Sequence, residues 1–353
     1  MKKILIMMFI ASLGVISCKK ESCENPFYCD WDTPFEVPPF DKIKIEHFKP
    51  AFLKGMEEEM AEVNAIISNT DEPTFDNTIR AMQFTGKLLQ KVQRAWGPLS
   101  GANTNDSIQA LQREMSPLFS RHSDDIALNE KLFERVKSVY ENREKFNLTP
   151  EESKLLEDEY LGFIRSGIGL SSENKEVLRK LNSELSLLGV RFGENLLAET
   201  NAFTLVIDNE QDLSGIPEGI RAQAAAAARA KNMEGKWLFT LQNPSYIPFM
   251  TDADNRALRE KMFRGYSMRG NNGNEHDNNK ILADIIRLRV EKARLLGYES
   301  HADYVLERNM AKEPETVLNF LSQIWEAALP VAKAEAAAQQ ELIDRESGKF
   351  KLE

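Results

Sequence analysis

The sequence predicts a mainly α-helical protein that contains one small β element. Apolar residues recur at three- and four-residue spacing along most of the 353 residues, which is the pattern of helices with one buried face. Helix-start signals, such as Thr149 followed by Pro150, precede several of these stretches. Only residues 202–241 contain short runs rich in β-branched and aromatic side chains. With no repeat of roughly 20 to 50 residues, a solenoid is not predicted.

The amino terminus has the layout of a secretory signal. Lys2 and Lys3 precede an apolar stretch at 4–16, which is too short to span a bilayer. The end of this region, Val15-Ile16-Ser17-Cys18, resembles a bacterial lipobox, in which cleavage leaves Cys18 as a lipid-carrying terminus. We therefore expect a signal peptide at 1–17, lipid attachment to Cys18 and a lipid-anchored protein of the cell envelope, facing the periplasm or the surface. The alternative is a secreted protein with an incidental cysteine near its cleavage site.

Residues 18–40 are predicted to form a tether. Its prolines exclude regular structure, and its aromatic side chains are expected to pack against the folded body. The prolines are Pro26, Pro34, Pro38 and Pro39, and the aromatic residues are Phe27, Trp31, Phe35 and Phe40. Cys23 and Cys29 can pair outside the cytoplasm, but their spacing alone leaves the pairing open.

Helix-forming patterns dominate after the tether. An apolar stripe from Phe52 to Ile67 predicts the first helix, with Pro50 in its first turn. The segment TFDNTIRAMQFTGKLLQKVQRAW predicts one helix that runs from an N-cap at Thr74 through Trp96. Thr149-Pro150-Glu151-Glu152 predicts another helix, which ends near Ile164.

The small β element and four further helices complete the prediction. AFTLVI at 202–207 and KWLFTL at 236–241 predict two strands, and the alanine-rich segment EGIRAQAAAAARAKN between them predicts a helix. The last third is predicted to be helical at 252–268, 274–296, 300–310 and 314–345. The final helix has a broad apolar face, formed by Leu318, Leu321, Ile324, Trp325, Leu329 and Val331. We expect more protein or a partner to cover that face.

Candidate catalytic and metal-binding patterns are few. The four histidines are His47, His122, His276 and His301. None of them forms a pair at the four-residue spacing that places two imidazoles on one helix face, so each is interpreted as structural. The sequence also lacks a Gly-x-Ser-x-Gly motif and a phosphate-binding glycine loop. No catalytic or metal-binding residue is therefore assigned.

Two polar segments are interpreted as helix starts. In RGNNGNEHDNNK, at 269–280, Asn274 is predicted to cap a helix, with Glu275 and Asp277 at the positive end of its dipole. Gly270 and Gly273 supply a permissive backbone for the break. The segment TDADNR, at 251–256, has calcium-loop spacing, but an arginine occupies a ligand position, so capping by Thr251 or Asp252 is favoured.

The charge of the chain argues against nucleic acid as a partner. The formal net charge is −10 at pH 7, and the folded part contains no block of lysine and arginine.

Two segments carry a family resemblance. DNRALREKMFRGYSMRGNNGNEHDNNKILADIIRLRVEKARLLGYESHADYVLERNMAKEP, at 254–314, and PFEVPPFDKIKIEHFKPAFLKGM, at 34–56, resemble the zinc metallopeptidases that include thimet oligopeptidase, oligopeptidase A and bacterial peptidyl-dipeptidase. The resemblance is strongest to the peptidyl-dipeptidase branch. It covers most of the chain after the tether.

The resemblance implies a fold and an activity. The fold is the multi-helical neurolysin-like or peptidyl-dipeptidase architecture, in which two halves flank a deep channel. The activity is zinc-dependent hydrolysis of short peptides, with release of C-terminal dipeptides. The implied domains are an N-terminal helical domain with the small β element at 41–247 and the beginning of the catalytic domain at 248–353.

This sequence differs from the family pattern in one respect, and the difference prevents the assignment of catalytic residues. The family binds zinc through His-Glu-x-x-His and a downstream Glu, and no position here matches that motif. We therefore expect a truncated chain that binds no zinc and is inactive alone, with the catalytic part supplied in cis or in trans. The alternatives are a non-enzymatic helical envelope lipoprotein that acts as a binding module, and one half of a split peptidase.

Overall fold

The computed structural model describes residues 24–346 and 348–352. The predicted signal peptide, Cys18 and Cys23 lie outside this range, whereas Cys29 lies inside it and is disulfide-bonded. Among the described residues, none of the helices combines the length and the apolar composition that a bilayer-spanning segment needs.

The described chain is mainly helical, as predicted. Two short 3-10 turns, Pro26–Tyr28 and Pro34–Glu36, precede the first long helix. The α-helices are α1 Ile45–Ser68, α2 Lys87–Ala102, α3 Asp106–Ala127, α4 Glu130–Glu141, α5 Pro150–Arg165, α6 Ser172–Ala202, α7 Glu218–Ala230, α8 Asn243–Asp252, α9 Arg256–Ser267, α10 Asn279–Leu295, α11 His301–Leu306 and α12 Pro314–Arg345. A π-helical turn, Phe75–Arg80, lies between α1 and α2.

The predicted β element is present as two short strands. β1 (Leu205–Ile207) and β2 (Trp237–Phe239) pair antiparallel, with Val206 opposite Leu238. The helix α7 between them is the predicted alanine-rich helix, and it packs on β2. The sheet positions α8 and α9, which follow it directly.

The chain forms two compact units. Within the described residues, one unit consists of 24–112 with 134–156, and the other of 113–133 with 157–346 and 348–352. The division predicted from the family resemblance, at 247 and 248, stays a prediction.

The first unit is built around an aromatic core between α1 and α2. Phe48 lies at its centre, with its ring centroid 5.0 Å from those of both Phe27 and Trp96. Gly55 lets the two helices approach closely, because a Cβ atom there would lie 2.8 Å from the backbone of Leu89. Burial of such large rings stabilises this unit.

The second unit has two apolar clusters. One lies between the sheet and α7, α8 and α9, where Leu205, Phe239, Phe249 and Met262 are fully buried. The other joins α6 to α10 through Leu181, Leu188 and Leu288, with a partly buried shell around them. These clusters hold α9 against the sheet and α6 against α10, and these three helices border the candidate site.

Two predictions about the first helices were wrong. The segment predicted as one helix from Thr74 to Trp96 breaks before α2, because Gly86 adopts a left-handed conformation with φ of 70°. Pro50 lies inside α1 rather than in its first turn, since the helix begins at Ile45. The imidazole Nδ1 of His47 accepts a 3.0 Å hydrogen bond from the backbone N–H of Lys44, which caps this earlier start.

The predicted helix starts at Thr74 and Thr149 were right. Thr74 Oγ1 accepts a hydrogen bond from the Asn77 N–H at 3.1 Å, and Asn77 Oδ1 accepts one from the Thr74 N–H at 2.8 Å. Thr149 and Glu152 make the same reciprocal pair. Reciprocal capping satisfies two backbone donors that the helix itself leaves unpaired.

The predicted tether is only partly as expected. Phe27 is 1% exposed, and Trp31 packs beside it with a centroid separation of 6.2 Å. Phe35 and Phe40 do not pack in this way, because they are 99% and 44% exposed. The segment is therefore held at its first half and displays aromatic rings at its second half.

The last helix, α12, has the predicted bounds and a fully displayed apolar face. None of its described residues is buried. The exposed side chains are Leu318, Phe320, Leu321, Ile324, Trp325, Val331 and Leu342. An apolar stripe of this length in water is typical of a protein interface.

Candidate functional site

The loop 269–278 is organised by one buried carboxylate. Glu199 lies near the end of α6 and is only 7% exposed. Its Oε2 accepts hydrogen bonds from the Gly270 N–H and from Nδ2 of Asn272, the latter at 2.7 Å. Its Oε1 accepts a 2.7 Å hydrogen bond from Nδ2 of Asn274. Each donor comes from the same loop, so the carboxylate holds the loop against α6.

A second contact fixes the start of α10 to α6. Asn278, which is 5% exposed, donates through Nδ2 to the carbonyl of Phe192 at 3.1 Å and accepts through Oδ1 from Asn195 at 3.0 Å. The loop reaches this position because Gly270 and Gly273 have φ values of 74° and 64°, as the predicted permissive backbone requires.

The structure corrects the predicted capping in both polar segments. Asn278, not Asn274, is the residue before α10, and Asn274 binds Glu199 instead. Asp277 lies next to this helix start and accepts from the Asn279 N–H at 2.8 Å. In the other segment, Thr251 and Asp252 belong to the end of α8, and Asn255 caps α9.

The electrostatics of Glu199 favour its charged form. Burial alone raises the pKa of a carboxyl group, but the hydrogen bonds from Asn272, Gly270 and Asn274, together with His276, lower the pKa of Glu199 below its ordinary value. Both oxygens are occupied by donors. A carboxylate in this state is a poor proton acceptor, so Glu199 positions the loop rather than serving as a general base.

A cleft of about 600 Å³ opens between the loop, α6 and α9. Its lining combines apolar, basic and amide groups, including Phe203, Met268, Lys261, Arg269 and Asn272. Arg269 is held in place, since its guanidinium lies 3.7 Å from the Tyr266 ring and Nη1 donates to Thr200 Oγ1 at 3.0 Å. The charged, amide and apolar groups of the lining can together bind a ligand.

A second group of buried and partly buried polar side chains lies on α3, α6, α10 and α11. Asn182 Nδ2 donates a 2.7 Å hydrogen bond to Asp124. Burial raises the pKa of Asp124 and lowers the pKa of Lys292, and the two groups partly offset each other's shifts. The pKa of His301 is lowered by burial, and then by the positive charges of Arg289 and Lys292.

The histidines and acids do not assemble a metal centre in the part of the chain that the structure describes. Within it, no group of three or more His, Cys, Asp and Glu side chains could hold an ion. His47 caps α1, and His276 lies 3.9 Å from the exposed Glu275. The zinc ion that the family resemblance implies therefore does not fit the described residues, and no chemical step through zinc can be assigned to them.

Comparison with known proteins indicates which class of protein this chain resembles. Residues 249–353 match the model described as peptidase family M3. The chain is 36% identical to a dipeptidyl carboxypeptidase of Escherichia coli (strain K12) over 326 residues, which are 92% of this chain and 48% of that relative. It is 32% identical to oligopeptidase A of the same organism over 91% of this chain and 48% of the relative.

The matches relate this helical chain to the metallopeptidases. More specifically, it is similar to the N-terminal part of the peptidases of family M3. An organellar oligopeptidase A of Arabidopsis thaliana matches as well, with 30% identity over 86% of this chain and 39% of the relative. The chain spans about half the length of the curated relatives it matches.

Proposed function

We propose that this chain is the N-terminal portion of an exported zinc peptidase that hydrolyses short peptides and releases dipeptides from their C-termini. The observation that carries the proposal is the 36% identity to a dipeptidyl carboxypeptidase over 92% of this chain. The identity to oligopeptidase A is only slightly lower, at 32%. Peptide hydrolysis is therefore proposed on both similarities, and dipeptide release only on the similarity to the dipeptidyl carboxypeptidase.

The apolar face of α12 supports a missing catalytic part. Leu318, Trp325 and Val331 are each more than half exposed. Burial of such side chains contributes about 25 cal/mol per Å² of apolar surface, so covering the face strongly favours association. We propose that a zinc-binding part of the full-length protein covers this face, either in the same polypeptide or as a separate chain.

The described residues alone are proposed to be inactive. Peptide hydrolysis by this class needs a metal to activate water and a carboxylate to move the proton. The described residues supply no such metal site. Their proposed contribution is to form one wall of the substrate channel, which restricts access to short, unfolded peptides.

Lipid anchoring is a separate proposal. Cys18 follows an apolar stretch in a lipobox-like sequence, and we propose that it carries lipid and holds the protein in the cell envelope. Short peptides that enter the envelope would be the substrates. The test is fatty-acid labelling of the intact chain against a Cys18→Ser variant.

The enzymatic proposal is tested by comparing two polypeptides. One contains residues 1–353, and the other continues into a C-terminal half with a His-Glu-x-x-His motif. We expect bound zinc and dipeptide release only from the longer polypeptide or from the two halves mixed. Zinc binding or hydrolysis by residues 1–353 alone would overturn the assignment of catalysis to the missing half. A mixture that binds zinc but cleaves nothing would favour a non-enzymatic binding module.

A further inference from the structure

The turn Thr33–Val37 displays one aromatic ring completely. Phe35 is 99% exposed, and its backbone φ is 58°, followed by 55° at Glu36. Two successive non-glycine residues rarely adopt this left-handed conformation, so surrounding contacts must impose it. The turn is closed by the Glu36 N–H, which donates to the Thr33 carbonyl at 3.0 Å, and by Thr33 Oγ1, which donates to the Val37 carbonyl.

The displayed turn is fixed to the body of its unit on both sides. Before it, Phe27 is buried, and Trp31 Nε1 donates to the Pro26 carbonyl at 2.9 Å. Lys91 of α2 donates to the Cys29 carbonyl and lies 4.5 Å from the Trp31 ring. After the turn, Pro39 is buried. The Phe35 ring is therefore presented by a rigid support.

A groove of about 510 Å³ lies beside this turn. It is lined on one side by the cations Lys87, Lys91 and Arg94 of α2, and on the other by the carboxylates of Asp30 and Glu36. Opposite charges that face each other across a groove match a zwitterion. Phosphate would bind to the cations, and a primary ammonium group to the carboxylates.

The length of chain before the described residues places this surface near a bilayer, provided that the proposed lipid on Cys18 is present. Only five residues lie between Cys18 and Glu24, where the described chain begins. The six residue steps from Cys18 to Glu24 span at most roughly 20 Å when fully extended. The first described turn must then lie close to the lipid headgroups.

We propose that the turn Thr33–Val37 and the groove beside it dock onto a bilayer surface that contains phosphatidylethanolamine. Phe35 inserts into the interfacial region, where aromatic side chains are favoured. The cations and carboxylates of the groove contact the phosphate and the ammonium group of the lipid. The inference rests on the proposed lipid anchor, and it adds a fixed orientation of the body against the membrane.

The test uses Phe35→Trp in the full, lipidated chain, reconstituted into vesicles of phosphatidylethanolamine and phosphatidylcholine. Brominated lipids, with bromine near the headgroup end of the acyl chains, quench tryptophan by contact. We expect loss of most of the fluorescence that Trp at position 35 adds to the four native tryptophans, together with a blue shift. The matched control is Glu144→Trp in the same unit, where the side chain is 91% exposed, and no quenching is expected there.

The outcomes separate this inference from the proposed anchor. Lipid attachment with an unquenched tryptophan at position 35 overturns the docking surface and leaves the anchor intact. Equal quenching at positions 35 and 144 also overturns it, because the contact would not be specific to this surface. Absence of lipid in the mass of the N-terminal peptide overturns the anchor and the docking surface together.

Discussion

The side-chain amide of Asn274 donates a 2.7 Å hydrogen bond to the carboxylate of Glu199, although 75 residues separate them. This contact and its two companions connect α6 to the loop before α10. We predict that Glu199→Gln lowers the free energy of unfolding by about 2 kcal/mol. The glutamine amide has one acceptor oxygen instead of two, so at least one of the three donors from the loop loses its hydrogen bond. Thermal or urea unfolding measures the change. The control is Glu275→Gln in the same loop, where the side chain is 82% exposed and little change is expected.

The same residue predicts a pH dependence. Because the pKa of Glu199 is lowered in the folded state from an ordinary value of 4.5, its stabilisation is complete above pH 4.5. That stabilisation is lost as the pH falls through the lower folded-state pKa. We expect the difference in stability between the wild-type protein and Glu199→Gln to shrink below pH 4.5. A difference that stays constant down to pH 2 would contradict a charged Glu199.

Close packing of α1 on α2 predicts a clash at Gly55. Gly55→Ala places a methyl group 2.8 Å from the Cα and N atoms of Leu89, and backbone atoms there cannot move aside. We expect a loss of about 1–3 kcal/mol in unfolding free energy. The control is Gly189→Ala at an exposed position inside α6, where no atom beyond the neighbouring residues lies within 4 Å of the added methyl, and a gain of about 0.5–1 kcal/mol is expected. Equal effects at the two positions would contradict the packing.

The positive charge of Lys292 contributes to the lowered pKa of His301. Lys292→Met removes this charge and should therefore raise the pKa of His301. Burial remains, so the recovery is partial. Titration of the imidazole signals by NMR measures it. Lys280→Met on the same helix, where the lysine is 86% exposed and paired with Asp284, should leave the His301 titration unchanged.

Because the apolar face of α12 is exposed, we expect substitutions on it to weaken assembly with a catalytic half without destabilising this chain. Because Leu321 and Trp325 are 52% and 63% exposed, Leu321→Ser with Trp325→Ser should change the stability of this chain by less than about 0.5 kcal/mol per site. The same pair should abolish zinc-dependent activity when a catalytic half is added. Glu326→Gln on this helix should affect neither. Full activity of the double variant would exclude this face as the contact.

Local sequence patterns predicted the elements whose causes are local. The N-cap at Thr74 and the capping pair of Thr149 with Glu152 were predicted because capping depends on residues within one helical turn. The bounds of α12 followed from Pro314 and a long apolar stripe. The break at Gly86 was missed because the stripe continues across it, and a single left-handed residue leaves no trace in apolar spacing.

The candidate site was harder to predict because Glu199, which holds the loop 269–278, is distant from that loop in the sequence. Asn274 was assigned to a helix cap, which is the best local use of its side chain, but Glu199 competes for that amide. One signal was available. Phe192, Asn195 and Glu199 follow each other at helical spacing on α6, and an acid on a face that also carries an apolar residue requires a partner.

Gly86 makes one codon of this gene unusually intolerant of change. Its φ of 70° strains any residue that carries a Cβ atom, and that atom would also displace the Glu59 carboxylate, which lies 2.4 Å from its position. Every missense change of a glycine codon introduces such an atom. A saturation library should therefore show this position depleted of most replacements, with Asn and Asp tolerated best because they adopt the left-handed conformation at the lowest cost.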